Sequence, residues 1–385
     1  MQASDLRVAL FSGNYNYVRD GANQALNMLA GHLLRQGVKI RVYSPTTDTP
    51  AFPPTGDLVS VPALPMPGGR GEYKFAWRLP RETKDDLAAF APHIVHVSAP
   101  EVLGHRAVSW ARENGIPTLA SLHTRFETYP QYYNIGFLEP MMIRALTRFY
   151  NRVDQVMTPG RSTADILRSW GVTTPIGIWA RGVDHDRFDP ARRSLDWRRA
   201  LGIADDQFAV GFLGRLVLEK GLDIFADVCG ALRARGVPHK VLVIGDGPAR
   251  DWFAERVPEA VFAGFQKGDD LGRAVASMDV LFNPSVTETF GNVTLEAMAA
   301  GVPVVAARAT GAVDLIDDSV NGFLVPPRDV NAYADAIAQL IADPALHKSA
   351  GAAGHAKAKA YQWDAINQVV LDTYLEVLAR RASRS

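Results

Sequence analysis

The sequence predicts an α/β protein made of two doubly wound, Rossmann-like parallel-sheet domains, and three observations carry that expectation. Short apolar, β-branched runs alternate with stretches of helical spacing. The alternation restarts after RGVDHDRFDP (Arg181 to Pro190), and the polar and glycine-containing motifs fall where the strand-like runs end. Two such domains place a cleft between the carboxyl ends of their sheets, which is where folds of this kind take their ligands.

The opening reads as a βαβ unit: RVALF from Arg7, a helix with Leu26, Leu29, Ala30 and Leu33 on one face, then KIRVYS from Lys39. Strand-like runs follow at HIVHVS (His93 to Ser98), TLASLH (Thr118 to His123), QVMTPG (Gln155 to Gly160) and IGIWA (Ile176 to Ala180). Their alternation with helix-like stretches favours a parallel sheet. The second series is FAVGFLG (Phe208 to Gly214), KVLVIGDG (Lys240 to Gly247), AVFAGF (Ala260 to Phe265), VLFNPS (Val280 to Ser285), VPVVAAR (Val302 to Arg308) and GFLVPP (Gly322 to Pro327). Helical faces close the chain: Tyr333, Ile337, Leu340 and Ile341, then Ile366, Val370, Tyr374 and Val377, with Arg380, Arg381 and Arg384 at the end. The predicted division is residues 1–184, residues 185–362, and a final helix over 363–385 that crosses back to the first domain. The stretch from Pro62 to Arg81 crowds Pro, Gly, Arg and aromatics into what reads as a contact-making loop.

Composition limits the function. With 385 residues, 47% hydrophobic, the chain can bury more than one core. Basic and acidic residues balance at 41 each, so no global field points to nucleic acid. The one cysteine, Cys229, excludes an intrachain disulfide and any multi-cysteine metal site, and it suits a reducing compartment. MQASDLRVALF lacks the marks of a signal peptide, and no run of 18 apolar residues occurs. A cytoplasmic protein is expected, with any membrane contact peripheral.

The most informative stretch is TETFGNVTLEAMAAG (Thr287 to Gly301). It sets Glu288 and Glu296 around a Phe-Gly-Asn turn that opens a helix. Glycine there lets backbone amides at a helix start approach a phosphate, while two carboxylates can accept hydrogen bonds from hexose and ribose hydroxyls. Alone, the pair equally suits surface glutamates kept for solubility. In GRLVLEKG (Gly214 to Gly221), Arg215 offers a planar fork of donors and Lys220 a mobile point charge for a diphosphate. Two solvated charges would look the same. GDGP from Gly245 fits a ligand turn or a plain one. No Walker pattern and no Gly-x-Gly-x-x-Gly fingerprint is present, which argues against a dehydrogenase. On the other side of the expected cleft, Gly21 of RDGAN allows close approach at a helix start. His123 of SLHTRFETY ends a strand, where it can bond a sugar hydroxyl or serve as a structural histidine. His93 and His96, inside an apolar strand, read as structural.

The order and spacing of these motifs resemble the retaining family 4 glycosyltransferases of the GT-B fold over essentially the whole chain. The resemblance rests on Glu288 and Glu296, GRLVLEKG, GDGP, RGVD at the junction and NGFLVPP (Asn321 to Pro327). NYVRDGANQAL, SLHTRFETYP and ARGVD look closest to the branch with bacterial mannosyl- and glucosyl-lipid synthases and the plant sulfoquinovosyl-lipid synthase. The resemblance implies that Arg215 and Lys220 hold the diphosphate, Glu288 contacts the transferred sugar, and Glu296 holds the ribose. Phe290, Gly291 and Asn292 would lie along sugar and phosphates, with Gly245 beside them, and Gly21 and His123 would be the first domain's contributions. It further implies a UDP- or GDP-linked sugar as co-substrate, no metal or other cofactor, and same-face attack by the acceptor hydroxyl, whose proton passes to a phosphate oxygen. Two departures are visible: only Gly21 stands before the first helix where many relatives have two adjacent glycines, and the junction reads Ala-Arg-Gly-Val-Asp where Asn-Gly-Val-Asp is frequent.

For the acceptor, MMIRALTRFYNRV from Met141 puts Arg144, Arg148 and Arg152 at i, i+4 and i+8, opposite Met142, Leu146, Phe149 and Val153. The spacing fits a helix on anionic lipid and equally a surface helix with its apolar side in the core. Lys74, Phe75, Trp77 and Arg78 turn the expectation toward a lipid or lipid-linked glycan acceptor. A sugar-nucleotide epimerase of the same fold, with Glu288 and His123 as proton-transfer groups, and a non-catalytic nucleotide-sugar-binding protein are the alternatives. A glycosidase fits poorly, because carboxylates on one loop and helix do not face each other across a bond.

Overall fold

A computed structural model describes residues 2–18, 20–65, 74–128 and 136–383. The chain forms two compact units, one of Met1–Arg181 with Trp363–Ser385 and one of Gly182–Gln362. The division thus falls between Arg181 and Gly182, where the sequence reading put it after Asp184.

In the first unit, β1 (Arg7–Phe11), β2 (Lys39–Ser44), β3 (Asp57–Ser60), β6 (Ile94–Val97), β7 (Thr118–Ser121), β8 (Gln155–Thr158) and β9 (Ile176–Ile178) form one sheet, ordered β3-β2-β1-β6-β7-β8-β9. Every neighbouring pair in it is parallel. Parallel strands covered on both faces are buried along their length, and β6, β7 and β8 are buried at every position, including polar His96, Thr118, Ser121, Gln155 and Thr158. The first helix, Gly21–Arg35, starts where Asp20 accepts the Asn23 amide at 2.8 Å. It buries Leu26, Leu29, Ala30 and Leu33 and ends before Gly37 at φ +81°.

The final helix, Trp363–Ala382, belongs to this unit, burying Ile366, Val370, Tyr374 and Val377. Its start is tied to the first helix, where Arg35 pairs with Asp364 at 2.5 Å.

The second unit holds β10 (Ala209–Leu213), β11 (Lys240–Ile244), β12 (Val261–Gly264), β13 (Val280–Asn283), β14 (Val304–Ala307) and β15 (Gly322–Val325), ordered β12-β11-β10-β13-β14-β15. These pairs are also all parallel. Phe212, Phe225, Phe253, Phe282 and Tyr333 meet in its core at centroid separations of 4.8 to 6.4 Å. Cys229 is buried in the same core. Both sheets reverse direction once, at the β1/β6 seam in the first unit and at the β10/β13 seam in the second. Loops leaving such a seam diverge to opposite faces and leave a crevice at the carboxyl end.

Two expectations need correction. The stretch from Pro62 to Arg81 is not wholly a loop: β4 (Leu64–Pro65) and β5 (Lys74–Phe75) pair antiparallel, and a helix begins at Arg81. Residues 66–73 lie outside the described residues, as do Arg19 of RDGAN, Tyr129 of SLHTRFETY and Arg384. The basic row from Met141 is also shorter than its spacing implied. The helix spans Glu139–Tyr150, so Arg152 lies beyond it and turns inward, donating to Ser109 Oγ at 2.9 Å.

Candidate functional site

The second unit assembles its motif residues at the β10/β13 seam. β10 exits through Gly214 and Arg215 into a short 3-10 turn, Leu218–Lys220, and β13 exits through Pro284 to Glu288. The two loops are joined by an ion pair, with Lys220 Nζ 2.5 Å from Glu288 Oε1 and both side chains partly buried. Thr287 Oγ1 donates to the Glu219 carbonyl at 3.4 Å, a weaker second tie. Arg215 is exposed.

Gly245, just past β11, is forced by packing. At φ +134° a Cβ there would stand 2.0 Å from the Gly214 carbonyl oxygen, so the GDGP turn lies backbone against backbone on the Arg215 loop. Leu216 N–H bonds to Asp246 O at 3.0 Å and fixes that contact.

Gly291, at φ +93°, is the N-cap of the helix Asn292–Ala299, with no side chain capping the helix start. The amides there remain available to an incoming acceptor group. Phe290 is buried, its ring edge 6.0 Å from Tyr361. Glu296, on the same helix, has no side-chain partner among the described residues, and burial pushes its carboxyl up to about 8 despite the opposing pull of Arg187. A half-buried carboxyl group without a partner is placed to bond hydroxyls of a ligand.

In the first unit, Gly21 opens a helix whose N-terminus is already capped by Asp20. Burial raises the Asp20 carboxyl, outweighing the backbone bonds that lower it. His123 follows β7 and has both ring nitrogens engaged. Arg181 Nη2 donates to Nδ1 at 2.7 Å, which leaves the neutral ring's proton on Nε2, 2.8 Å from Ser121 Oγ. Ser121 Oγ in turn lies 2.8 Å from His96 Nε2, and His96 Nδ1 lies 2.6 Å from Tyr374 Oη on the final helix. Burial first, then the charge of Arg181, holds His123 well below the ordinary histidine range. His96 is pushed down to about 3 by burial alone. Both rings therefore stay neutral at physiological pH.

Arg181, 4% exposed, also donates to the Trp179 and Ala180 carbonyls and sits 5.0 Å over the Trp179 ring. Sequence reasoning treated Arg181 only as part of RGVD and gave Ser121 and Tyr374 no role. The departure from Asn to Arg at the junction was the one signal available for it.

Among the described residues no group of three or more His, Cys, Asp or Glu is placed to hold a metal, and no helix is long and apolar enough to cross a membrane.

Two doubly wound sheets with ligand motifs at the carboxyl ends of their strands define an enzyme of the GT-B fold. The solved sucrose-phosphate synthase of Thermosynechococcus elongatus shares that fold, with a TM-score of 0.78 at 21% identity over 97% of this chain and 100% of that one. Models described as Glycosyltransferase Family 4 and Glycosyl transferases group 1 match residues 19–187 and 207–343. A GDP-mannose-dependent alpha-mannosyltransferase of Corynebacterium glutamicum is 33% identical over 76% of this chain and 70% of its own length. Sulfoquinovosyl transferase SQD2 of Arabidopsis thaliana is 33% identical over 73% of this chain and 56% of its own. The chain belongs to the family 4, group 1 glycosyltransferases: it is a retaining glycosyltransferase that uses a nucleotide-sugar donor.

Proposed function

We propose that the chain moves a hexose from a GDP- or UDP-linked donor to a hydroxyl of a lipid or lipid-linked glycan. The name of the corynebacterial relative makes GDP-mannose the first donor to try. The observation that carries the donor half is the β10/β13 seam, where Lys220, Glu288, the uncapped helix start at Gly291 and unpartnered Glu296 come together in one unit.

In this reading Arg215 and Lys220 take the diphosphate, the amides after Gly291 with Phe290 and Asn292 lie along sugar and phosphates, and Gly245 shapes the loop beneath Arg215. Glu288 exchanges its bond to Lys220 for a hydroxyl of the transferred sugar, and Glu296 accepts from the ribose hydroxyls. Gly21 and His123 serve from the first unit. A sugar hydroxyl that bonds His123 must replace Ser121 Oγ or the Arg181 guanidinium. As the glycosidic bond breaks, negative charge gathers on the leaving diphosphate, and Arg215, Lys220 and the helix start stabilise it. The acceptor hydroxyl attacks from the same face and gives its proton to a phosphate oxygen, so the protein's work is positioning.

Thermal unfolding against GDP, UDP, ADP and their sugar conjugates tests the donor half, repeated with Glu296→Ala. A nucleotide at 100 times its Kd adds about 2.7 kcal/mol. A selective shift that shrinks in the variant fixes the base. No shift with any nucleotide defeats the reading, and an isomerised sugar from donor alone would favour an epimerase.

The acceptor half draws on the exposed face of the helix Glu139–Tyr150 and the turn before it. Phe137 and Met141 are 78% and 59% exposed, and Arg144 and Arg148 are exposed beside them. Leu146, Phe149 and Tyr150 hold the opposite face in the core. Trp77, half exposed under the Arg78 guanidinium, adds to the unit's aromatic and basic surface. Such a surface suits anionic lipid. Cosedimentation with phosphatidylserine vesicles should fall with salt and with Arg144→Glu and Arg148→Glu; binding indifferent to both would remove the electrostatic part.

A further inference from the structure

The β1/β6 seam of the first unit is the counterpart of the seam that gathers the donor motifs in the second. Its loops are 12–20 after β1 and 98–101 after β6, and they are held together at their base where Ser98 N–H bonds to Phe11 O at 2.9 Å. Glu101 ends the second loop, directly before the helix Val102–Glu113.

Glutamate is too long to be a favoured helix cap, and the Glu101 side chain makes no cap hydrogen bond. It reaches instead across the seam to Gly13, where a Cβ would stand 1.7 Å from its Oε2. Among the described residues it has no ion pair and no hydrogen-bond partner, and burial pushes its carboxyl up to about 7. The residue is half-buried, so the carboxylate is crowded by the seam and still open to a small polar ligand. Glu296 carries the same signature in the second unit, with no partner and a carboxyl raised by burial to about 8.

We propose that Glu101, seated over Gly13, is the anchoring carboxylate of a polyol subsite, its two oxygens accepting hydrogen bonds from neighbouring hydroxyls of the acceptor's head group. This deepens the reading that the first unit receives the acceptor and rests on it. Glu101 itself favours a neutral head group: a phosphate there would meet its carboxylate, whereas a hydroxyl donates to it. Gly13 is part of the subsite because any side chain there displaces the carboxylate.

The test uses the full chain saturated with GDP or UDP, whichever binds, and three probes: glycerol, myo-inositol and methyl α-mannoside. The carboxyl carbon of Glu101, assigned by its loss in Glu101→Gln, should shift on addition of at least one probe. The same probe should stimulate donor turnover with a KM at least tenfold higher in Glu101→Gln and in Gly13→Ala, while the nucleotide Kd of both variants stays at the parent value. A carboxyl signal that ignores all three probes, or a KM unchanged in both variants, overturns the subsite. Absence of nucleotide binding in the parent protein would instead defeat the donor reading, so the two failures are distinguishable.

Discussion

The two units share a strand order around their reversing seam, yet they handle charge in opposite ways. At the β10/β13 seam a lysine and a glutamate face each other at 2.5 Å with an exposed arginine on the same loop. In the first unit the candidate histidine is held by a line of hydrogen bonds through Ser121 and His96 to Tyr374, both rings kept neutral by burial. The cation beside it, Arg181, is engaged by the Trp179 and Ala180 carbonyls and by His123. One scaffold thus carries paired and exposed charge in one unit and a neutral hydrogen-bonded frame in the other; under the proposed function the first suits a diphosphate and the second a hydroxyl. The difference lies in the side chains of equivalent loops, because the backbone topology is the same.

The contrast is most exposed to failure at Arg215. If the second unit works by stabilising developing negative charge, Arg215→Ala should lower kcat by about 100- to 1,000-fold, roughly 2.7 to 4 kcal/mol of transition-state stabilisation. Its melting temperature should not move, since the side chain is exposed. Steady-state kinetics with the sugar donor of whichever nucleotide binds decide it. Native turnover in the variant would leave the charged loop without the role assigned to it.

Glu296 sharpens the same comparison through pH. Its folded carboxyl is raised to about 8 from an ordinary 4.5, so the folded chain keeps a proton that the unfolded chain loses between those values. Stability from this group is complete below about 4.5 and is lost as pH rises toward 8, by at most about 1.4 kcal/mol per unit. Glu296→Gln cannot ionise, so its urea midpoint should exceed the parent's at pH 8.5 and match it at pH 4.5. It should also bind nucleotide about tenfold more weakly, a difference of about 1.4 kcal/mol. A variant that gains no stability at high pH would mean that Glu296 is solvated, and the ribose reading would lose its physical basis.

Much of this arrangement was legible in the chain. Every strand-like run expected from the sequence appears as a strand, because parallel strands buried on both faces leave nearly continuous apolar runs. The edge strand β3 (DLVS) was missed since it is only half buried and carries no such run. The seam of the second unit could be read because its residues cluster in two short motifs. The relay of the first unit could not, since Ser121, Arg181 and Tyr374 are far apart in sequence and each is ordinary alone. Tyr374 in particular reads as one more core position on an amphipathic helix. Periodicity reports that a residue is buried and is silent on whether its hydroxyl is used.

That hydroxyl offers the finest test of the contrast. Tyr374→Phe keeps the ring and its edge contact with His96, whose centroids lie 5.8 Å apart, and deletes only the oxygen 2.6 Å from His96 Nδ1. Loss of one buried hydrogen bond costs about 1 kcal/mol, and a melting point lowered by about 2 to 4 °C is expected for a unit of this size. With no acceptor left at Nδ1, His96 should move its proton to Nε2 and donate to Ser121 Oγ, which then can no longer donate toward it. Nitrogen NMR of labelled histidine should therefore show the His96 tautomer exchanged, while Arg181 holds His123 Nδ1 as an acceptor. If His123 keeps both tautomer and turnover in the variant, Arg181 alone fixes the ring and the final helix serves the first unit by packing. If turnover falls with KM for the donor unchanged, the line from Tyr374 is part of how the histidine is aimed, and the neutral frame extends from the junction to the last helix of the chain.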